Sequence, residues 1–442
     1  MSLHRDRRAV LRAIGATALA GPLAACGSLS GMRNARVVVV GGGYGGATAA
    51  KYVRVFSGGR VDVTLVEPNA AFVSCPLSNL VLSGDRDLAS LTVPYDALVE
   101  RHGVRWVRDR AAAIDLGARQ VRLAGGGTLD YDRLILSPGI DFVPGAIPGL
   151  ADAATAARAP HAWKADAATA ARAPHAWKAG AQTLALRHRL EAMPNGGVVA
   201  ISIPLAPYRC PPAPYERACL VAHWLQHARP ASRVLILDAN DDVTSKGALF
   251  KRVWAQRYPN HIEYRPQYNA VDIDAAGRVL KFDVQDDVEA DVVNLIPPQR
   301  AGAIAVAAGL ATANGRWCEV DFLTFESKVA PGVHVIGDAI QTAPLMPKSG
   351  HMANQHGKVA AAAVVAMLAG RAPDPSPLYA NTCYSFTAPN EAMHVATVHR
   401  YDAAEHTMVT VPGAGGLSDA PSVAEGNLAQ GWSRAIWSDM LG

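Results

Sequence analysis

The stretch that most restricts the fold is "ARVVVVGGGYGGATAAKYVRVFSGGRVDVTLVEPN", near the start of the chain. Four consecutive valines read as a strand buried on both faces, as in a parallel sheet. Gly41, Gly43 and Gly46 follow in G-x-G-x-x-G order and open a helix of small residues. A second strand, "VDVTLVE", ends in Glu67. Strand, glycine turn, helix, strand and terminal acid together predict a dinucleotide-binding unit. The glycines let backbone approach a pyrophosphate, the helix N-terminus favours its charge, and Glu67 can hold a ribose hydroxyl.

Two later segments, "LDYDRLILSPGID" (129–141) and "APGVHVIGDAI" (330–340), each place a hydrophobic strand before a tight glycine turn, at Gly139 and Gly337. An early glycine fingerprint with a distant "G-D" strand resembles the FAD domain of flavoproteins that carry two dinucleotide domains. That resemblance assigns Asp338 to the ribityl chain. The following "MPKSGHMANQHGKVAAAAVVAMLAG" reads as a loop and an alanine-rich helix whose N-terminus points at the flavin and favours negative charge on the reduced ring. Its eleven-residue apolar run, "VAAAAVVAMLA", is too short to span a membrane.

From about residue 195 to 300 a second strand–helix–strand pattern appears. Its first turn, "PLAPYRCPPAPY", holds no glycine between Ile203 and Tyr215. Without glycines the backbone cannot come close to a pyrophosphate, and the prolines remove donors. NAD(P)H is therefore not expected as electron donor. Cys210 stands in this turn just before the helix "YERACLVAHWLQHA", whose positive end is expected to lower a thiol pKa. Glu216, in the first turn of that helix, reads either as a cap or as a proton-handling group. On its own, Cys210 also reads as a buried structural thiol.

The remaining organisation is simple. The N-terminus, "HRDRRAVLRAIGATALAGPLAACGS", has Arg7 and Arg8 before a short apolar run, the form of a twin-arginine export signal. A periplasmic location is expected, and "LAAC" leaves lipidation at Cys26 open against ordinary cleavage. Residues 1–26 carry four Arg and one Asp, so most of the net charge of +4 belongs to this segment. The balance that remains gives no sign of nucleic acid or an anionic membrane. Residues 151–178 repeat "ADAATAARAPHAWK" twice in tandem, expected to be a surface excursion without a role of its own. The six cysteines contain no CxxC pair, so no metal site is expected.

These residues carry a specific resemblance. "VVVVGGGYGGATAAKYV", "SCPLSNLVLSGDRDL", "RCPPAPYERA", "NLIPPQRAG", "MPKSG" and "NTCYS" are similar to the flavoprotein subunit of flavocytochrome c sulfide dehydrogenase. The resemblance spans nearly all of residues 35–400. It implies FAD bound covalently through Cys75, and a redox-active disulfide between Cys210 and Cys383. It also implies Glu216 as proton acceptor, hydrogen sulfide as substrate, and a separate haem-bearing cytochrome c subunit, since no CxxCH occurs here. Cys219 and Cys318 are then left as buried thiols. Lys348, with the helix after it, is expected to stabilise the reduced flavin. Pro76 beside Cys75 and His394 depart from the family pattern.

The expected architecture is α/β: two Rossmann-like domains of the disulfide-reductase type plus a small C-terminal α+β module. Residues 1–33 are the signal, 34–150 and 300–372 a discontinuous FAD domain, and 151–194 a linker with the duplication. Residues 195–299 form the second Rossmann-like domain, and 373–442 the C-terminal interface domain. Two other readings are a sulfide:quinone oxidoreductase, for which Trp432, Trp437 and Leu441 would be the membrane-facing residues, and a non-catalytic flavoprotein partner.

Overall fold

The computed structural model describes residues 34–150 and 172–442. The export signal, Cys26 and most of the duplication lie outside the described residues. The chain begins with β1 (Arg36–Val40), α1 (Tyr44–Phe56) and β2 (Asp62–Val66). The short helix α2 (Asn79–Ser83) precedes β3 (Arg105–Val107) and β4 (Arg133–Leu136). The valines of β1 are buried, and the strand pairs in parallel with both β2 and β4, as a fully buried central strand should.

Helix α3 (Ala181–Ala192) leads into a second parallel sheet. Its elements are β5 (Val198–Ile203), α4 (Ala213–Ala228), β6 (Arg233–Asp238), α5 (Gly247–Arg257), β7 (Ile262–Pro266) and β8 (Val292–Leu295). The sheet order is β7-β6-β5-β8. The chain then returns to the first sheet, where β9 (Val333–Val335) pairs in parallel with β4 and completes the order β9-β4-β1-β2-β3. The first domain is thus discontinuous in sequence.

Helix α6 (Gly350–Leu368) lies against α1, and the contact is close because it is made by glycines. A Cβ on Gly357 would sit 2.6 Å from the Gly45 carbonyl oxygen. The C-terminal module is an antiparallel sheet of β10 (Leu378–Ala388), β11 (Glu391–Asp402) and β12 (Thr407–Thr410), covered by α7 (Val423–Leu441). Among the described residues no helix is long and apolar enough to cross a membrane, and no cluster of ligating side chains could hold a metal.

Candidate active site

A cavity of about 460 Å³ opens where the first sheet, the β5–α4 turn and the C-terminal module meet. All the expected site residues line it except Gly46 and Lys348.

At one end is the glycine turn between β1 and α1. Gly41 has φ +98°, and a Cβ there would lie 2.3 Å from the Ser137 carbonyl oxygen. A Cβ on Gly46 would come within 1.8 Å of the Gly41 oxygen. These two glycines make the turn possible. Gly43 differs: nothing lies within 4 Å of a Cβ built on it, so a side chain would project into open cavity. Glu67 closes this end, its Oε2 accepting from the Gly42 N–H at 2.7 Å and its Oε1 from Asn69.

Farther along, Gly139 turns the wall with φ +63°, and Asp338 presents a buried Oδ1 with no hydrogen-bond partner. A buried acceptor without a donor costs about 1–3 kcal/mol, and at a cavity wall a hydroxyl of a bound ligand would satisfy it. Ser349 caps α6 by accepting from the Met352 N–H, which aims the positive end of that helix at the cavity. A glycine strip for phosphates, an acid for a ribose, an orphan acceptor and a helix N-terminus fit a flavin dinucleotide.

Lys348 does not take the place expected of it. Its ammonium donates to the Asp338 and Ile340 carbonyl oxygens and sits 3.6 Å from the centre of the Trp317 ring. Burial brings its pKa down to about 7. Lys348 reaches the site only through its backbone, whose carbonyl accepts from the Cys210 N–H at 2.8 Å.

The sulfur end of the cavity is built by three separate elements. Cys210, in the β5–α4 turn, takes a left-handed conformation, φ +54°, unusual for a residue with a side chain. Cys383 lies in β10, opposite Val395 of β11. The two are free thiols in hydrogen-bond contact. The expectation that the α4 terminus lowers the Cys210 pKa is not met. The Cys383 side chain first, then the partial burial of the thiol, then the charge of Glu216 push the Cys210 pKa well up. Cys383 is the acidic member: the hydrogen bond from Cys210, then the nearby Lys246 ammonium, bring it down to about 7 against the cost of burial.

Glu216 is not a helix cap. Its Oε1 accepts from the Phe386 N–H of β10 at 2.8 Å and its Oε2 from Asn79 Nδ2 of α2 at 2.8 Å. Burial is the largest influence on this carboxyl and raises its pKa. Cys75 lies on the wall, 3.4 Å from the Ala179 N–H and 3.6 Å from Arg209 Nη2. Cys219, against the Trp254 indole, and Cys318 are buried away from the cavity.

Sequence reasoning passed over a whole wall. The described part of the second repeat, residues 172–178, is not a surface excursion. Ala176 and Trp177 are buried and line the cavity. The segment's carbonyls are gripped from outside, while its Lys178 pairs with Asp141. Arg217 of α4 donates to the His175 and Ala176 oxygens, and Asn294 of β8 to those of Pro174 and His175. Arg217 also bonds Asn79 and Asn294, linking this wall to Glu216. The signal available was Arg217 itself, a buried arginine in the second turn of a largely buried helix.

The C-terminal aromatics also correct an expectation. Trp432 lines the cavity, the Trp437 indole donates to Tyr44 Oη at 3.1 Å, and Leu441 is buried. These residues face inward, so they do not make a membrane surface.

Comparison with known proteins accords with this geometry. Residues 35–179 match the pyridine nucleotide-disulphide oxidoreductase family. Residues 183–297 match the central region of the sulfide dehydrogenase [flavocytochrome c] flavoprotein chain, and residues 375–441 the flavocytochrome c sulphide dehydrogenase flavin-binding region. A sulfide dehydrogenase [flavocytochrome c] flavoprotein chain from Chlorobaculum thiosulfatiphilum is 63% identical over 46 residues, 10% of this chain and 94% of that short sequence. The mitochondrial sulfide:quinone oxidoreductase of Mus musculus is 24% identical over 68% of this chain and 65% of its own length. The crystal structure of sulfide:quinone oxidoreductase from Aquifex aeolicus superposes with a TM-score of 0.68 at 17% identity, covering 92% of this chain and 91% of that one, a likeness of fold. The chain belongs to the family of flavocytochrome c sulfide dehydrogenase flavoprotein chains.

Proposed function

We propose that the protein is an FAD-dependent sulfide dehydrogenase that oxidises hydrogen sulfide to sulfane sulfur and passes the electrons to a cytochrome c subunit. The observation that carries this reading is the pair of free thiols, Cys210 and Cys383, brought side by side from two different elements inside a cavity shaped for a flavin dinucleotide.

In the oxidised enzyme Cys210 and Cys383 form a disulfide. Hydrosulfide attacks one sulfur, giving a persulfide there and a thiolate on the other, so the disulfide takes two electrons from the substrate. Bound FAD supplies the oxidant that accepts this electron pair and can hand it on singly, which suits a haem acceptor. Glu216, held by Phe386 and Asn79 with its pKa raised by burial, takes the proton that hydrogen sulfide loses. Cys75, on the cavity wall within reach of Arg209, is the point of covalent attachment. The glycine-free β5–α4 turn accounts for sulfide rather than NAD(P)H as donor. Export by the twin-arginine route places the reaction in the periplasm, where a cytochrome c partner is at hand.

The test is an anaerobic titration followed by flavin absorbance. Sulfide should bleach the flavin and NADH should not, and Cys210→Ser or Cys383→Ser should abolish the response. Rapid bleaching by NADH, or none by sulfide with the flavin bound, would sink the reading. The likeness to sulfide:quinone oxidoreductases supports quinone as the rival acceptor. Faster reoxidation by a ubiquinone analogue than by cytochrome c would favour it.

A further inference from the structure

Lys246 has no part in the scheme above, yet it sits at the sulfur end of the site. It precedes α5 with φ +57°, a left-handed conformation that a lysine adopts only when its surroundings enforce it. The residue is 8% exposed. Its ammonium donates to the Cys383 carbonyl oxygen at 2.7 Å, and among the described residues it makes no ion pair within 4.0 Å. A buried cation held only by a carbonyl is costly unless negative charge forms beside it. The groups that face it are Cys383 of β10, Glu216 of α4, Cys210 of the β5–α4 turn and Glu425 of α7.

The two sulfurs are not in equivalent fields. At Cys383 the attraction of Lys246 outweighs the repulsion of Glu216. At Cys210 the order is reversed: Glu216 outweighs Arg209, the cation on that side. The Arg209 guanidinium is also committed elsewhere, to the Trp177 carbonyl and Cys75. Negative charge is therefore better placed on Cys383 than on Cys210.

Building on the proposed sulfide reaction, we propose that Lys246 is a positioning residue that selects the leaving sulfur. Hydrosulfide bonds to Cys210 Sγ and the Cys210–Cys383 bond breaks. Cys210 becomes the persulfide, Cys210–S–SH, and Cys383 departs as the thiolate beside the Lys246 ammonium. The single negative charge of hydrosulfide ends on Cys383, and its proton stays on the outer sulfur, so atoms, charge and electrons balance.

The experiment uses the full-length, flavin-loaded chain with the disulfide formed, mixed anaerobically with one equivalent of sodium hydrosulfide. The mixture is quenched with alkylating agent within the first turnover and mapped by mass spectrometry. Sulfane should be found on Cys210 over Cys383 by on the order of tenfold, the ratio that one pKa unit of preference gives. Lys246→Met should even out that distribution and move the alkylation profile of Cys383 in the reduced enzyme to higher pH. Lys246→Arg should restore both, which a merely structural role for the side chain would not predict. Sulfane on Cys383 in the wild type, or an unchanged distribution and profile in Lys246→Met, overturns the assignment. No sulfane on either cysteine overturns the proposed function and the choice of leaving sulfur with it. The alkylation profile distinguishes that outcome from a failure of Lys246 alone.

Discussion

The turns β1–α1 and β5–α4 occupy the same place in two sheets of like construction. Each follows a central strand with parallel neighbours on both sides and opens a helix. One is all backbone: Gly41 and Gly46 make the bend and Gly43 leaves space for a ligand. The other is all side chain: Arg209 and Cys210 enter the cavity while Pro211 and Pro212 stiffen the approach to α4. The scaffold sets where a turn points, and the residues in it decide what it presents to the cavity: open backbone in one, a thiol in the other.

The largest effect should come from disturbing the first turn. Gly46→Ala places a Cβ against the Gly41 carbonyl, with no flexible side chain to give way. Its cost should reach or exceed the top of the roughly 1–3 kcal/mol range for overpacking, and flavin content and melting temperature should both fall. A variant that kept its flavin would remove the backbone account of this turn. In the second turn, by contrast, Cys210→Ser should leave the flavin bound while sulfide turnover falls by on the order of 10³-fold or more, as when a nucleophile is lost.

Next comes the carboxyl behind the sulfurs. Burial raises the Glu216 pKa, so the carboxylate that the proposed reaction uses as proton acceptor is lost as pH falls through that raised value, earlier than for an ordinary glutamate. Sulfide reduction of the flavin should therefore have an acid limb. Glu216→Gln should slow the reaction by about 10²–10⁴-fold and remove that limb; a variant that retained it would exclude Glu216 as the titrating group.

Lys348 gives a smaller effect, on stability. Its folded-state pKa, about 7, lies below the ordinary 10.5, so the unfolded chain binds more protons between those values. Stability should rise with pH across that window. Lys348→Met should flatten the rise in denaturant titrations at pH 7 and pH 10, and an unchanged slope would show that Lys348 is not its source.

The smallest effect should follow removal of residues 151–164, the first copy of the repeat. Halving a connection changes its closure entropy by only about 0.6 kcal/mol, and the packed residues 173–177 stay in place. Flavin content and sulfide response should hardly change, whereas a large loss would mean that the first copy has a role of its own.

Much of the first turn was legible in the sequence because its function is written in glycines at fixed spacing, and backbone geometry follows from residue type. The second turn was legible only in part. The lack of glycine excluded a phosphate cradle, but the partnership of Cys210 with Cys383, 173 residues away, came from family resemblance. Spacing carries no information about contacts that a third module brings together. The same reason hid Lys246, which reads as an ordinary lysine at the start of a helix. It also hid the wall at Ala176–Trp177, because a duplication looks dispensable until the end of its second copy is seen in the core. Lys348 failed in the opposite way: its position was right and its side chain pointed elsewhere.

The cavity draws its lining from Gly41 to Trp432, so nearly the whole chain must be synthesised before its last wall exists. Contacts of such long sequence separation form late, after the two sheets have condensed. A nascent chain can complete its second sheet while the first still lacks β9 and the cavity stands open to solvent. The cavity is therefore fully enclosed only once α7, whose Trp432 supplies part of its lining, is in place.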